Sequence, residues 1–218
     1  MDHLPYQHKV LSLEEMRENS QKFFEQMKER RTLRFFSDAH VPKDIIENIL
    51  KTACTAPSGA NKQPWVFCAI SNPAVKKEIR KAAEVEEYAF YNGRASEDYL
   101  KDIADLGTDW QKPFLEIAPW IIVVFKKIYD DTPEGRAKNY YVQESVGLAT
   151  GMLIAAIHNA GLVSLTHTPS PMNFLCSILN RPVSEKPFLL LPVGFPAADA
   201  TVPNLKRKSF DEMAIFIE

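Results

Sequence analysis

Apolar positions along the chain alternate between helical and strand-like spacing. From near Leu13 to about Arg30, Met16, Phe23, Phe24 and Met27 recur at roughly helical intervals and predict an amphipathic helix. Arg30 to Arg34 follows as a turn or short extended piece. Val41-Pro42 predicts the opening of a second helix, since a proline in a first turn lacks only an N–H that would be unpaired there. Ile45, Ile46, Ile49, Leu50 and Ala53 form its apolar stripe, and Pro57-Ser58-Gly59-Ala60 ends it as a polar turn. Pro64 to Ile70 predicts a buried strand, and Ala74 to about Phe90 a third helix that stops at Asn92-Gly93. Ser96 is placed to cap a further helix, in which Tyr99, Ile103, Leu106, Trp110 and Phe114 recur at spacings of three and four. Pro119 to Lys126 is almost continuously apolar, which predicts a strand covered on both faces. Asp130 to Arg136 reads as a polar loop. A long helix is predicted from about Asn139 to Asn159, with Gly147, Gly151 and many alanines that would let another backbone approach, and Gly161 as its stop. Leu162 to Leu165, Phe188 to Val193 and Ala214 to Ile217 complete the predicted strands. Helices and strands intermix without a repeating βαβ unit, which favours an α+β fold.

The 218 residues suit one domain with a single large core, or one half of an interlocked dimer. Residues 1–20 read as a polar N-terminal arm and 21–218 as the domain. A formal net charge of −2 argues against a global field that would attract nucleic acid. The apolar runs Trp120 to Phe125 and Phe188 to Val193 fall far short of the ~20 residues a membrane span needs. Met1-Asp2-His3 does not begin a basic-then-apolar secretory signal, and three scattered cysteines make no disulfide framework. A soluble cytoplasmic protein without membrane contact is therefore expected. The chain has neither a GxGxxG nor a GxxxxGK[ST] motif, and only eight glycines, so any phosphate must be held by side chains. His3, His8, His40, His158 and His167 lack zinc-site spacing, so no metal is expected.

Three short segments could carry chemistry. Arg30-Arg31-Thr32-Leu33-Arg34 gathers three guanidiniums and a hydroxyl, the groups that grip phosphate through paired charge-assisted hydrogen bonds. Thr55 to Ala60 offers hydroxyls and backbone N–H groups on a loop, and Leu205-Lys206-Arg207-Lys208 is a basic run. Singly, each reads as well as a solvated turn. In this order, with Gln63-Pro64-Trp65 between them, they resemble the nitroreductase superfamily. The segments RRTLRF, TAPSGANKQPW, NAGLVSLTHTP, LLLPVGFP and ATVPNLKRK more nearly resemble the iodotyrosine deiodinase family, from about residue 22 to the end.

That resemblance implies a nitroreductase-like α+β fold, with a central mixed sheet flanked by helices. It implies a domain-swapped homodimer with interlocked ends and one FMN at each subunit interface. Arg30, Arg31, Thr32 and Arg34 would meet the phosphate and the polar edge of the flavin, with Arg207 as a second phosphate-side cation. Pro57, Ser58 and Gly59 would line the cofactor, with contributions from both subunits, and Thr166-His167-Thr168-Pro169 would lie near the isoalloxazine ring. Thr168, and after it Thr166, would accept from the flavin N5–H and so favour transfer of electrons one at a time. A lid over residues 84–112 would hold the amino-acid end of a halotyrosine. Glu87 and Tyr91, four apart on one helix face, would answer the ammonium and bridge, while Lys112, on the next helical segment, would meet the carboxylate. A backbone N–H near Gly59-Ala60 would hold the phenolate. The implied activity is FMN-dependent reductive dehalogenation of halotyrosines, with NAD(P)H or a reductase as electron donor. A general NAD(P)H-dependent nitroreductase or quinone reductase would share the flavin residues without needing Glu87, Tyr91 and Lys112. A non-catalytic flavin or halotyrosine binder would turn over no acceptor.

Overall fold

The computed structural model describes residues 2–218. The helices are α1 (Leu13–Lys28), α2 (Lys43–Cys54), α3 (Pro73–Ala89), α4 (Glu97–Ala104), α5 (Phe114–Ile117), α6 (Val142–Asn159) and α7 (Phe174–Ile178). The strands are β1 (Trp65–Ile70), β2 (Trp120–Lys127), β3 (Tyr129–Thr132), β4 (Gly135–Lys138), β5 (Val163–Ser164) and β6 (Glu185–Gly194). Four of the strands form the central sheet in the order β1-β2-β6-β5, with antiparallel ladders throughout.

Strand β2 shows why the sheet is covered twice. Successive side chains of a strand point to opposite faces. Trp120, Ile122 and Val124 pack with α2 and α6 on one face, whereas Ile121, Val123 and Phe125 pack with α3, α5 and α7 residues on the other. The Trp120 indole N–H donates to the Val41 carbonyl at 2.9 Å and ties the sheet to the entrance of α2.

Isolated bridges then extend the β5 edge. Thr32 pairs in parallel with Ser164, Phe36 antiparallel with Pro196, and His167 antiparallel with Leu190. The Thr32–Ser164 bridge is parallel, in contrast to the antiparallel ladders of the four named strands. It also brings the Arg30–Arg34 segment alongside the 164–168 segment.

Several expectations are corrected. Pro42 precedes α2 as its N-cap instead of lying in its first turn. The helix capped by Ser96 ends at Ala104, because Gly107 turns left-handed (φ +61). Trp110 and Lys112 therefore lie in a loop and not on a helical segment, and Phe114 opens a separate single turn, α5. Asp130 to Arg136 belongs to the β3–β4 hairpin, whose strands are polar because this ribbon covers no core. The single-turn helix α7 had no apolar periodicity long enough to betray it. Ala214 to Ile217 forms no strand in this chain, and Ile215, Phe216 and Ile217 are exposed. The first helix buries no residue: Phe23 and Phe24 are each more than half exposed, although the spacing is amphipathic.

Candidate active site

Two adjoining cavities are lined by residues of the 28–34, 87–112 and 165–170 segments. The first is an open cleft of about 620 Å³ around Lys28, Arg30, Arg31, Thr32, Arg34 and Arg207. Its walls come from the turn after α1 and from the C-terminal tail. Arg207 staples the two together by donating to the carbonyls of Lys28 (2.9 Å) and Arg30 (3.0 Å). Arg31 donates to the Pro203 carbonyl from the other side. The cleft is strongly cationic, with Glu29 the one acid in its lining, and a terminal phosphate ester fits this donor set.

The second cavity, of about 180 Å³, is enclosed by the end of α3, the following turn, α4 and Lys112, over a floor of Leu165 to Thr168. Arg34 and Leu106 line both cavities, so the two adjoin at these side chains. Phe90–Arg94 closes as a π-helical turn, a wider winding that interrupts helices mostly where function asks for it. It carries Tyr91 into the cavity one turn beyond Glu87. Ser96 caps α4 by accepting from the Tyr99 N–H at 3.2 Å, and Phe90 meets Tyr99 edge-to-face at 5.3 Å.

Glu87, Tyr91 and Lys112 converge here. Lys112 Nζ lies 3.3 Å from Glu87 Oε2 in an ion pair that is almost wholly buried. The same ammonium donates to Thr108 Oγ1 at 3.2 Å and to the Asp109 carbonyl, and sits 5.3 Å from the centre of the Tyr91 ring. The Lys112 backbone N–H donates to Glu84 at 2.7 Å, and Glu84 pairs with Arg80 at 2.8 Å, so the Lys112 loop is anchored on α3. Burial pushes the Glu87 carboxyl up and the Lys112 ammonium down, and each is opposed by the charge of the other.

Thr166, His167 and Thr168 also line this cavity. The backbone N–H and carbonyl of His167 are both spent on Leu190. Its ring turns inward against Phe114, centroids 5.7 Å apart, and its Nε2 stands 3.8 Å from Glu87 Oε1. Burial, then the positive charges of Lys112 and Arg34, push the imidazole down to about 3, so it is neutral at ordinary pH. The flanking Thr166 and Thr168 are exposed where His167 is buried.

Pro57, Ser58, Gly59 and Ala60 line neither cavity. They form a tight loop after α2, in which Ser58 Oγ accepts from the Gln63 N–H (2.8 Å) and the Gly59 N–H donates to Ser145 (3.3 Å). Ala60, Asn61 and Gln63 all hold left-handed backbone, at φ 50, 53 and 47. Strain of this kind gathers at functional loops. A Cβ on Gly59 would come within 2.6 Å of the Tyr141 ring, so any side chain there would have to displace that ring. Sequence reasoning did not single out Glu84, Thr108, Phe90 or the inward turn of the His167 ring. The first three lacked any motif, and the last depends on the strand-like pairing of residue 167.

Fold and site together define an α+β flavin-reductase scaffold, and the chain belongs to the nitroreductase family, whose description matches residues 27–195. Within that family it falls with the iodotyrosine deiodinases. It is 57% identical to the iodotyrosine deiodinase of Haliscomenobacter hydrossis, over 98% of this chain and 96% of that protein. It is 44% identical to that of Nematostella vectensis, over 99% of this chain and 83% of that protein. A crystal structure of oxidized iodotyrosine deiodinase bound to FMN and 3-iodo-L-tyrosine aligns with a TM-score of 0.75 at 30% identity, covering 89% of this chain and 100% of that one.

Proposed function

We propose that the chain is an FMN-dependent reductive dehalogenase of halotyrosines. The observation that carries this reading is the buried Glu87–Lys112 pair in a cavity that adjoins the cationic cleft. Two opposite charges a few ångströms apart match the ammonium and carboxylate of an amino acid. A zwitterion can leave water only if both of its charges are answered. The relationship to deiodinases, and the FMN and 3-iodo-L-tyrosine bound in the aligned structure, support the same substrate class.

The reaction exchanges a ring halogen for hydrogen: Ar–X + 2 e⁻ + H⁺ gives Ar–H + X⁻. FMN, when bound, supplies the two electrons. Arg30, Arg31, Thr32, Arg34 and Arg207 would hold its phosphate and polar edge. Thr168, with Thr166 as the alternative, presents a hydroxyl that can accept a hydrogen bond from the flavin N5–H. In the bound site Glu87 accepts from the substrate ammonium, Lys112 donates to the carboxylate, and Tyr91 bridges. The segment 84–112 acts as the lid on a single FMN-binding domain, residues 21–218, and closes out water. Among the described residues no helix is long and apolar enough to cross a membrane.

Pro57, Ser58, Gly59 and Ala60 complete the site from a second copy, Gly59 and Ala60 offering N–H groups to the phenolate. This accords with their absence from the lining of either cavity of their own chain and with the exposed apolar residues of α1 and the C-terminal tail. NAD(P)H or a separate reductase would be the electron donor.

The test is anaerobic. Bound flavin is reduced with dithionite, 3-iodotyrosine is added, and the visible spectrum is followed together with tyrosine release. Reoxidation with one tyrosine per flavin is the expected result. A flavin that stays reduced with iodotyrosine but reoxidises with a nitroaromatic would make the chain a general nitroreductase.

A further inference from the structure

His167 is nine-tenths buried, and its Nε2 has no hydrogen-bond partner. A buried nitrogen left unpaired costs roughly 1–3 kcal/mol and calls for an explanation. The atom it faces is Glu87 Oε1 at 3.8 Å, about 1 Å beyond hydrogen-bond length, while Lys112 holds the other oxygen of the same carboxylate. A neutral imidazole beside a carboxylate places its proton on the facing nitrogen, so Nε2 is a donor.

We propose that His167 is a positioning residue for substrate recognition. When the amino-acid end of the halotyrosine draws Lys112 away to its own carboxylate, the Glu87 side chain shifts, and His167 Nε2–H closes on Oε1. Lys112, the donor that the carboxylate loses, is thereby replaced. The carboxylate stays ionised and aimed at the substrate ammonium. Charge balance explains why a neutral donor suits this place. At this end of the pocket the Glu87 anion and the Lys112 cation cancel, and the amino-acid end of the substrate adds one charge of each sign, so no further ion is called for. A second lysine in place of the imidazole would leave a surplus cation beside Lys112 and Arg34.

This inference rests on the halotyrosine reading, and the experiment separates the two. FMN-loaded wild type, His167→Phe and His167→Gln are titrated with 3-iodotyrosine and with 2-iodophenol, which lacks the amino-acid end, and quenching of flavin fluorescence is followed. His167→Phe keeps a ring against Phe114 without a donor; His167→Gln restores an N–H near the Nε2 position. Loss of a hydrogen bond to a charged group predicts about a tenfold rise in the iodotyrosine Kd for His167→Phe. His167→Gln should stay within about threefold of wild type, with 2-iodophenol and FMN binding held by both variants. An unchanged ratio of iodotyrosine to iodophenol Kd in His167→Phe would overturn the proposal. So would a loss confined to FMN affinity, which would place the ring on the cofactor side. Failure of the wild type itself to bind iodotyrosine would instead remove the halotyrosine reading, and the inference with it.

Discussion

Glu87 and Lys112 neutralise each other in a place where neither charge would be comfortable alone. Removing one partner of such a pair leaves the other uncompensated. Lys112→Ala should therefore be at least as damaging as Glu87→Gln, because it removes the donor to the substrate carboxylate together with the charge that opposes the upward push of burial on Glu87. Flavin-quenching titrations should show at least a tenfold weaker grip on iodotyrosine for both Lys112→Ala and Glu87→Gln, with FMN affinity nearly unchanged. Equal loss of substrate and cofactor would count against their assignment to the amino-acid end. His167 adds a pH signature. Its folded value of about 3 lies below the ordinary 6.5, so between these the unfolded chain binds a proton that the folded chain refuses. The stability it contributes is complete above 6.5 and declines as pH falls toward 3, by about 1.4 kcal/mol per pH unit within that window. Urea unfolding from pH 6.5 to 5 should show this decline in the wild type and a flatter profile in His167→Gln. Matching slopes would mean that the ring is charged or solvated in the fold.

Among the elements, the long apolar ones were legible and the short ones were not. The sequence pattern of α2, α3, α6, β1, β2 and β6 survives because each buries a face against the sheet, and burial imposes a period. The β3–β4 hairpin and α7 impose none, and the end of α4 was decided by the backbone of Gly107 instead of by an apolar stripe. The site followed the same division. The basic runs were visible as motifs, and Glu87, Tyr91 and Lys112 were singled out only through the family resemblance, whereas the inward turn of His167 depended on its bridge to Leu190. Close backbone approach also marks Gly194 of β6, where a Cβ would fall 2.4 Å from Pro119. Gly194→Ala must push β6 away from that ring, and overpacking of this kind typically costs ~1–3 kcal/mol. A thermal midpoint unchanged from wild type would mean that the strand end yields freely.

For the whole molecule, the separation of the Pro57–Ala60 loop from the cationic cleft decides what a working unit is. Under the proposed pairing, a chain altered in the loop (Gly59→Val) and one altered in the lid (Lys112→Ala) each spoil every site when expressed alone. Co-expressed, random pairing gives mixed dimers in about half of the population, and each holds one wholly intact site. About a quarter of wild-type dehalogenation should return on mixing, measured against total flavin. No recovery, with dimers present by sedimentation, would mean that loop and lid serve the same site from one chain.

The Glu87–Lys112 pair also bears on selectivity against other free amino acids. Alanine or glycine carries the same two charges as a halotyrosine, but entry by either means breaking the Glu87–Lys112 contact with no aromatic ring to compensate. The resting pair thus acts as a threshold, and abundant small metabolites are turned away without any shape-based exclusion.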